Sequence, residues 1–428
     1  MNQSETGFLK NKMRYCIEQT NCGNNIDILL FVNTGSRDEP DKYRGISHYL
    51  EHMLFRGTTK YPSDSILTNE LYKLGGSFNA FTDYNSTVYE VNVGKKYYEK
   101  GIEMISDILY HSLFREEDFQ KETKVILNEL NLDSLDDSNK MFKKSYQTIY
   151  KDTLLEKGII GTKQTITNCH TDLLKEYMNT RYCSENIIIS VCGDISLPNI
   201  KRTIQKWFVK DVSYPSKSRD HFWKDRVFYP DFRLKNQDNM IYNHIKNDDK
   251  EAYIGIGFKG FSYQKEDQML IIDEILVGSF VGQLYQKLRG DRGLIYHIDV
   301  DSSNYKDCGH FIIYFGTKND KKVIYECLYH VLQELISIQK GKIPTKRINE
   351  IKHNIIEGYK DSKTDTYGRA LINAYDLTLK DKLISVEENI KAIQNVKIDD
   401  IIEISKQLFS LSMCNITVVS KSKLYFNI

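Results

Sequence analysis

Short apolar runs alternate with helically spaced apolar residues along the first half of the chain. Apolar runs bounded by polar or glycine-containing breaks predict strands, and apolar residues three and four apart predict helices. The predicted elements are strands or a hairpin over 13–19 and 26–33, helices over 43–55 and 65–74, strand character over 77–93, helices between 96 and 150, a helix over 172–181 and a strand over 186–192.

A similar order recurs after residues 211–250, a stretch that contains Pro215 and Pro230 and few aliphatic residues. This composition is typical of a domain boundary. The elements predicted beyond it are strands over 252–258, 296–301, 310–315 and 415–419 and helices over 268–277, 281–288, 321–339 and 345–360. The order predicts an α+β fold with two structurally similar domains, 1–215 and 216–428, each a mostly antiparallel sheet with helices packed on one side.

Composition narrows the function classes. The chain has 428 residues, and its 59 Lys and Arg nearly balance its 58 Asp and Glu. The net charge of +1 argues against a nucleic-acid partner, and the lysines of 140–144 are interpreted as a solvated helix face. No apolar run approaches the about 18 residues of a membrane-spanning helix. The N-terminus lacks the apolar core of a signal peptide and the eight cysteines form no CxxC pair, which favours a soluble intracellular, most simply cytoplasmic, protein.

The most informative segment is His48-Tyr49-Leu50-Glu51-His52. On a helix, residues four apart lie on one face, so both imidazoles can bind one cation, and Glu51 lies on the same side. The spacing HxxEH is the inverse of HExxH and is the signature of one class of zinc peptidase. The alternative is a pair of histidines that line a surface helix without a metal.

The context of this motif points to a zinc site. A catalytic zinc ion needs a third protein ligand and keeps a fourth position for water. Glu129 follows His52 after 76 residues, and Glu122 precedes Glu129 by seven. The run HYLEHMLFRGT, the gap and the two acids together resemble the M16 metallopeptidases, the group of pitrilysin, insulysin and mitochondrial processing peptidase.

The resemblance extends over nearly the whole chain. The segments GSRDE at 35–39, GSFNAFT at 76–82 and CGD at 192–194 match the family in order. In the second half, residues 288–296 resemble the family's substrate-binding segment, in which an arginine and a tyrosine seven residues later hold the peptide backbone. The resemblance therefore implies a zinc-dependent endopeptidase.

The resemblance also implies a role for each residue of the metal motif. His48, His52 and Glu129 are expected to bind one zinc ion per subunit, and Glu51 is expected to act as general base on the attacking water. Glu122 is expected to orient a ligand or to assist proton transfer. The alternative for Glu122 is an ordinary acid on a solvated helix face.

Four further residues are expected to hold the substrate. Asn79 and Ala80 lie on a candidate edge strand that would pair with an extended, unfolded peptide, although Asn79 is also explained as a turn residue. Arg289 and Tyr296 are expected to contact the substrate carbonyls and the developing oxyanion. Single-chain relatives carry the zinc residues in the first of four domains and the Arg/Tyr pair in the last. Both sets in one two-domain chain imply a homodimer with composite active sites.

The function implied is hydrolysis of unfolded peptides, or processing of short polypeptides, inside a closed chamber. Two departures leave the specificity open. Asn85 stands where the family often has an acid, and Asn139 and Lys143 stand where peptidases that read an arginine carry acids, although the acids of 133–137 offer a displaced patch. The missing acids count against specific presequence cleavage, which is kept as one alternative. A non-catalytic structural subunit is the other, because some family members have lost the zinc residues.

Overall fold

The chain folds into two compact units, each built from three segments of the sequence. The computed structural model describes residues 2–21, 23–210, 226–229, 232–233 and 239–426. Unit 1 consists of Met1–Asn131, Lys157–Val227 and Lys360–Ile384, and unit 2 consists of Leu132–Glu156, Phe228–Tyr359 and Ser385–Ile428. The boundary expected at residues 215 and 216 lies outside the described residues.

The sheet of unit 1 has six strands in the order β1-β2-β6-β3-β5-β4. These strands are β1 (Gln3–Phe8), β2 (Arg14–Gln19), β3 (Asn25–Val32), β4 (Ser77–Thr82), β5 (Thr87–Gly94) and β6 (Ile187–Gly193). Only β2 and β6 pair in parallel, and the other neighbouring pairs are antiparallel. Nearly all residues of β3 and β6 are buried, which is typical of central strands covered on both faces.

The sheet of unit 2 has five strands in the order β7-β11-β8-β10-β9. These strands are β7 (Ile241–Lys246), β8 (Glu251–Lys259), β9 (Ile295–Asn304), β10 (Gly309–Lys318) and β11 (Cys414–Ser420). The parallel pair is β7 with β11, and the other pairs are antiparallel. This arrangement repeats the order β2-β6-β3-β5-β4 of unit 1, so the predicted α+β fold with two similar domains is confirmed.

The hairpin predicted from residues 13–19 and 26–33 is wrong. β6 lies between β2 and β3 and pairs with both, in parallel with β2 and antiparallel with β3. The antiparallel neighbour of β2 is instead β1, which precedes it in the sequence. The two runs are close in sequence, but β6, which follows them by more than 150 residues, takes the position between them.

The helices occupy most of the stretches predicted to be helical. They are α1 (Ile46–Leu54), α2 (Asp64–Lys73), α3 (Tyr98–His111), α4 (Glu116–Leu135), α5 (Asp137–Ile149), α6 (Lys163–Thr167), α7 (Thr171–Arg181), α8 (Leu197–Trp207), α9 (Glu266–Leu276), α10 (Lys321–Gln339), α11 (Thr345–Asp361), α12 (Thr366–Leu379), α13 (Val386–Asn395) and α14 (Ile398–Leu408). The helix predicted over 281–288 is present over residues 283–290, where the α-helical turn Gln283–Tyr285 continues into the wider helical turn Gln286–Gly290. Within the described ranges, no helix combines the length and the apolar character that a membrane crossing requires.

Two helices are exchanged between the halves of the sequence. α5 lies in the first half of the sequence and belongs to unit 2, whereas α12 lies in the second half and belongs to unit 1. α12 packs on β2, β3 and β6, and α5 packs on β7, β8 and β11. A single boundary in the sequence therefore does not describe the two units.

The exchanged helices explain why both faces of each sheet are covered. Successive strand residues point to opposite faces, so Ile28 and Leu30 of β3 join the large core beneath α1 and α3, while Leu29 and Phe31 join a smaller core beneath α12. In unit 2, Ile254 and Ile256 of β8 lie in the large core, and the glycines between and after them face α5. A single exchanged helix therefore completes the burial of each sheet, and helices lie on both faces of the sheet, not on the one side that the sequence predicts.

Candidate active site

Helix α1 carries the HxxEH motif and is anchored at its first turn. The preceding residue, Gly45, has a φ of 90°, and a Cβ atom there would lie 2.2 Å from the carbonyl oxygen of Ile160. Glu39 accepts hydrogen bonds from the backbone N–H groups of Gly45 and Ser47, each at 2.8 Å. Because a carboxylate at a helix N-terminus satisfies unpaired N–H groups, Glu39 fixes where α1 begins.

The three predicted ligands converge on one point. The Nε2 atoms of His48 and His52 are 3.3 Å apart. Oε2 of Glu129, on α4, lies 3.7 Å from the first and 3.5 Å from the second. Ligand atoms about 2.0–2.2 Å from a tetrahedral zinc ion are about 3.3–3.6 Å apart. The donor set of two imidazoles and one carboxylate, at these separations, therefore fits zinc.

A second acid on α4 sets the orientation of His52. Oε2 of Glu122 lies 2.9 Å from Nδ1 of His52, and its Oε1 forms an ion pair with Arg56. Glu122 is 1% exposed, so it is not the solvated helix acid of the alternative interpretation. A carboxylate that holds the proton on Nδ1 leaves the lone pair on Nε2, where a metal binds.

The two histidines have different proton affinities. Burial, reinforced by the charge of His52, lowers the pKa of His48 to about 4. Burial also lowers the pKa of His52, but the hydrogen bond to Glu122 and the charges of the nearby acids outweigh it, so that pKa lies above its usual value. His48 is therefore neutral at pH 7, whereas metal binding at His52 competes with a proton.

Glu51 lies beside the three donors and is 9% exposed. Its Oε2 accepts a hydrogen bond of 2.6 Å from the hydroxyl of Thr82, the last residue of β4. Burial raises the pKa of Glu51 above its usual value, although Thr82 and the charge of His52 favour the ionised form. A buried carboxylate with a raised pKa suits a group that accepts and releases a proton near neutral pH.

A cleft of about 310 Å³ joins this acid to strand β4. Its lining residues come from α1 and the turn that follows it, α2, β4 and α4, and are Glu51, His52, Phe55, Arg56, Asp64, Thr68, Phe78, Asn79, Ala80 and Glu122. β4 is the last strand of its sheet and pairs only with β5 among the described strands. Asn79 and Ala80 therefore belong to an edge strand, not a turn, and the structure brings them together with Glu51, His52 and Glu122.

Arg289 and Tyr296 lie in unit 2 and are close to each other. Arg289, on the turn Gln286–Gly290, donates a hydrogen bond of 2.8 Å to the carbonyl oxygen of Ile295, the residue before Tyr296. Tyr296 lies at the start of β9 and is 58% exposed. Both side chains are exposed, as a substrate contact requires, and their predicted role stays a prediction.

Backbone groups of two residues that depart from the family pattern, Asn85 and Asn139, form hydrogen bonds within the protein. The carbonyl oxygen of Asn85 accepts a hydrogen bond of 2.8 Å from Arg226. On α5, which belongs to unit 2, Asp136 caps the helix by accepting from the N–H of Asn139, and Asp137 is buried against Lys140. Two acids of the patch at 133–137 are therefore engaged within the protein.

Comparison with known proteins assigns the family. The sequence model described as "Insulinase (Peptidase family M16)" matches residues 15–163, and that described as "Peptidase M16 inactive domain" matches residues 169–355. The chain belongs to the M16 peptidase family. The first model spans the whole metal motif, and the second covers most of the half that contains Arg289 and Tyr296.

Three relatives that match over 90% or more of both chains are named zinc proteases. The chain is 28% identical over 407 residues to the "Uncharacterized zinc protease YmxG" of Bacillus subtilis, which covers 94% of both chains. It is 28% identical over 394 residues to an "Uncharacterized zinc protease" of Rickettsia felis, covering 90% of both. It is also 24% identical over 360 residues to a "Probable mitochondrial-processing peptidase subunit beta" of Arabidopsis thaliana, covering 81% of this chain and 66% of that one.

Solved structures show the same two-domain fold. A protease from Helicobacter pylori superimposes with a TM-score of 0.87 at 18% identity, over 98% of this chain and all of the other. The periplasmic protease PqqL from Escherichia coli superimposes with a TM-score of 0.77 at 18% identity, over 98% of this chain but 48% of its own. The fold is thus found both as a whole chain and as about half of a longer one.

Three residues of the site are not singled out by the sequence. Arg56 follows the metal motif within the run HYLEHMLFRGT, Thr82 ends the run GSFNAFT, and Glu39 ends GSRDE. Each run resembles the family, but a run alone does not tell which side chain contacts the metal residues. The contacts become visible only when α1, α4 and β4 are brought together.

Proposed function

We propose that this chain is a zinc-dependent endopeptidase that hydrolyses unfolded peptides or processes short polypeptides. The observation that carries the proposal is a set of two imidazoles and a carboxylate at zinc-binding distances, next to a cleft that is lined by His52, by buried Glu51 and by the open edge strand β4. Zinc sites with three protein ligands leave a position open for catalysis, whereas structural zinc sites have four.

Each residue of the site then has a separate role in the proposed reaction. Zinc, when bound by His48, His52 and Glu129, lowers the pKa of water to about 7 and polarises the scissile carbonyl. Glu51 takes the proton of the attacking water and delivers it to the leaving amine. Glu122 keeps His52 in the tautomer that exposes Nε2.

The edge strand β4 supports binding of an extended peptide. Backbone hydrogen bonds to an added strand hold any sequence that is unfolded, and they do so without strong side-chain preference. Asn79 and Ala80 lie on this strand within the cleft that contains Glu51. General peptide hydrolysis therefore fits this site better than cleavage at one arginine-defined position, since Asn139 and Lys143 do not supply the acids that such a specificity uses.

We also propose that the active protein is a homodimer in which Arg289 and Tyr296 of one subunit complete the zinc site of the other. The match to about half of the PqqL chain supports this arrangement, because a second copy would supply the missing half. In such a dimer, Arg289 and Tyr296 would bind the substrate carbonyls and the developing oxyanion. Unfolded peptides would be enclosed in the chamber that the two copies form.

The decisive experiment is Glu51→Gln with zinc content measured on the same preparation. We expect cleavage of an unfolded peptide library to fall by about 10²–10⁴-fold, the contribution of a general base, with one zinc ion per chain retained. A Glu51→Gln protein that cleaves at the wild-type rate would contradict the mechanism. A wild-type protein that binds zinc and cleaves no peptide of the library would favour the structural subunit, the alternative that the "inactive domain" match keeps open.

Mixed subunits test the dimer. Glu51→Gln supplies an intact Arg289, and Arg289→Ala supplies an intact Glu51, so a mixed dimer contains one complete composite site. We expect the mixture to recover part of the activity that each variant alone lacks. Absence of recovery, with mixed dimers shown by mass spectrometry to have formed, would exclude shared sites.

A further inference from the structure

The hydroxyl of Thr82 is hydrogen-bonded to the proposed general base from a separate element of the fold. Glu51 is on α1 and Thr82 is at the end of β4, and the distance between Oγ1 and Oε2 is 2.6 Å. A hydrogen bond to a carboxylate is shorter and stronger than one between neutral groups, so it restricts the rotation of the carboxylate effectively.

Thr82 is itself held by a tight turn. The N–H of Asp83 donates to the carbonyl oxygen of Ser86 at 2.8 Å, which closes the hairpin between β4 and β5. The loop before α1 clamps this turn, because the N–H groups of Ser36 and Arg37 donate to the carbonyl oxygens of Asp83 and Tyr84 at 3.1 and 2.9 Å.

The approach of the two segments leaves no room for a side chain. A Cβ atom on Gly35 would lie 2.2 Å from the carbonyl oxygen of Asp83 and 2.6 Å from the backbone nitrogen of Ser86. The turn is therefore fixed against the loop that leads into α1. Thr82 and Glu51 are connected through rigid backbone as well as through their hydrogen bond.

We propose that Thr82 is a positioning residue for the general base. Its hydroxyl donates a hydrogen bond to Oε2 of Glu51 and so fixes the plane of the carboxylate. The other oxygen, Oε1, then receives the proton of the attacking water. The proposal rests on the proposed function, since it assumes that Glu51 is the base. A misplaced base lowers the rate of the chemical step, because proton transfer needs a donor and acceptor within hydrogen-bond distance.

The neighbouring Thr87 provides a matched control. Thr82 and Thr87 are paired across the hairpin of β4 and β5. Thr87 is fully buried, and its hydroxyl donates to the carbonyl oxygen of Thr34 at 3.0 Å. Replacing either threonine by valine keeps the shape of the side chain and removes one hydroxyl from the same hairpin, but only Thr82 is bonded to Glu51.

The experiment compares Thr82→Val, Thr82→Ser and Thr87→Val, with kcat, KM, zinc content and thermal stability measured for each. For Thr82→Val we expect kcat to fall by about 10–100-fold with KM within about threefold of wild type and zinc content unchanged. We expect Thr82→Ser, which restores the hydroxyl, to regain most of the lost kcat. Thr87→Val is expected to lower stability and to leave kcat near the wild-type value.

Two outcomes would overturn the proposal. The first is a Thr82→Val protein with wild-type kcat. The second is an equal loss of kcat in Thr82→Val and Thr87→Val, which would assign the effect to the hairpin and not to the bond with Glu51. Glu51→Gln, measured in parallel, separates the two hypotheses: if it is inactive while Thr82→Val is normal, the proposed function stands and only the role of Thr82 fails.

Discussion

The two units share a strand arrangement and differ in the helix that follows the same strand. In unit 1, β3 leads to α1, where buried Glu51 and partly buried His48 and His52 project from one helix. In unit 2, β8 leads to α9, whose buried residues include Met269, Ile271, Ile272, Ile275 and Leu276. The same strand arrangement is therefore followed by a helix with a polar site in one unit and by an apolar packing helix in the other. The fold by itself does not determine the chemistry.

The exchanged helices differ as well. In unit 1, Arg369 of α12 makes a two-pronged ion pair with Glu18 of β2, with N···O distances of 2.8–3.1 Å, and Asn373 also donates to Glu18. In unit 2, α5 is held by hydrogen bonds of aromatic hydroxyls, including that of Tyr146 to Asp301 at 2.5 Å. The first helix is anchored by a buried ion pair, and the second by hydrogen bonds to a carboxylate together with close packing.

Glycines in β8 permit that close packing. A Cβ atom on Gly255 would lie 2.3 Å from Sδ of Met141, and one on Gly257 would lie 2.8 Å from Cδ1 of Ile149. Met141 and Ile149 are residues of α5 and are fully buried. The equivalent strand of unit 1 carries Leu29 and Phe31 toward α12, whose facing residues Ala370 and Ala374 are small.

The largest effect that we expect is on the free energy of unfolding, when the polar contacts that hold α12 and α5 are removed. Arg369→Met leaves Glu18 buried without its cation, and breaking a buried ion pair costs about 3–5 kcal/mol. Tyr146→Phe removes one hydrogen bond to a carboxylate that keeps His310 as a second partner, and its cost is expected to be about 1.5 kcal/mol. Urea denaturation of both variants measures the difference. Equal losses of unfolding free energy would remove the distinction between the two helices.

The next effect concerns zinc, which we expect in unit 1 alone. A zinc-binding free energy of about 10–16 kcal/mol over four ligands gives about 2.5–4 kcal/mol for each. His52→Ala is therefore expected to reduce zinc affinity by about two to three orders of magnitude. His170→Ala removes a histidine of the same unit that caps α7 and is the control. Zinc titration followed by metal analysis measures the zinc affinity of both variants. A second zinc ion per chain would contradict the expectation that α1 contributes to a zinc site and α9 does not.

The sequence predicts the parts of the site that are local. His48, Glu51 and His52 lie within one helix, so their spacing alone places them on one side of it. Glu129 comes from α4, and its place in the site follows from resemblance to a family because no local pattern links two residues with 76 others between them. Thr82 and Arg56 reach the site through the packing of β4 and α4, which a local pattern does not encode.

For the fold as well, local patterns predict the elements but not how elements far apart in the sequence pair. The apolar runs predict most strands, but the position of β6 between β2 and β3 depends on pairing between residues far apart in the sequence. The exchange of α5 and α12 depends on which sheet face each helix fits. Periodicity shows that a helix has an apolar face and does not show which sheet covers it.

A third prediction tests whether Glu122, unlike a buried acid elsewhere in the protein, contributes to zinc affinity. Glu122→Gln keeps the size of the side chain but removes the charge that holds the Nδ1 proton of His52 and pairs with Arg56. Loss of such an outer partner is expected to weaken zinc binding by about 10–100-fold. Glu334→Gln, which removes a buried acid paired with Lys287 in unit 2, is the matched control and is expected to leave zinc affinity unchanged. Equal zinc affinities for the two variants would count against the orienting role.

The smallest effect that we expect is the pH dependence of zinc binding, and it distinguishes the two histidines of α1. The pKa of His52 lies above its usual value and that of His48 is lowered to about 4, so only His52 must lose a proton to bind zinc near neutral pH. Zinc affinity should be level above the pKa of His52 and fall about tenfold per pH unit below it. A chelator competition series between about pH 5 and pH 9 measures this slope. A slope of two protons near pH 6–7 would mean that His48 is also protonated there, and that its burial does not keep it neutral.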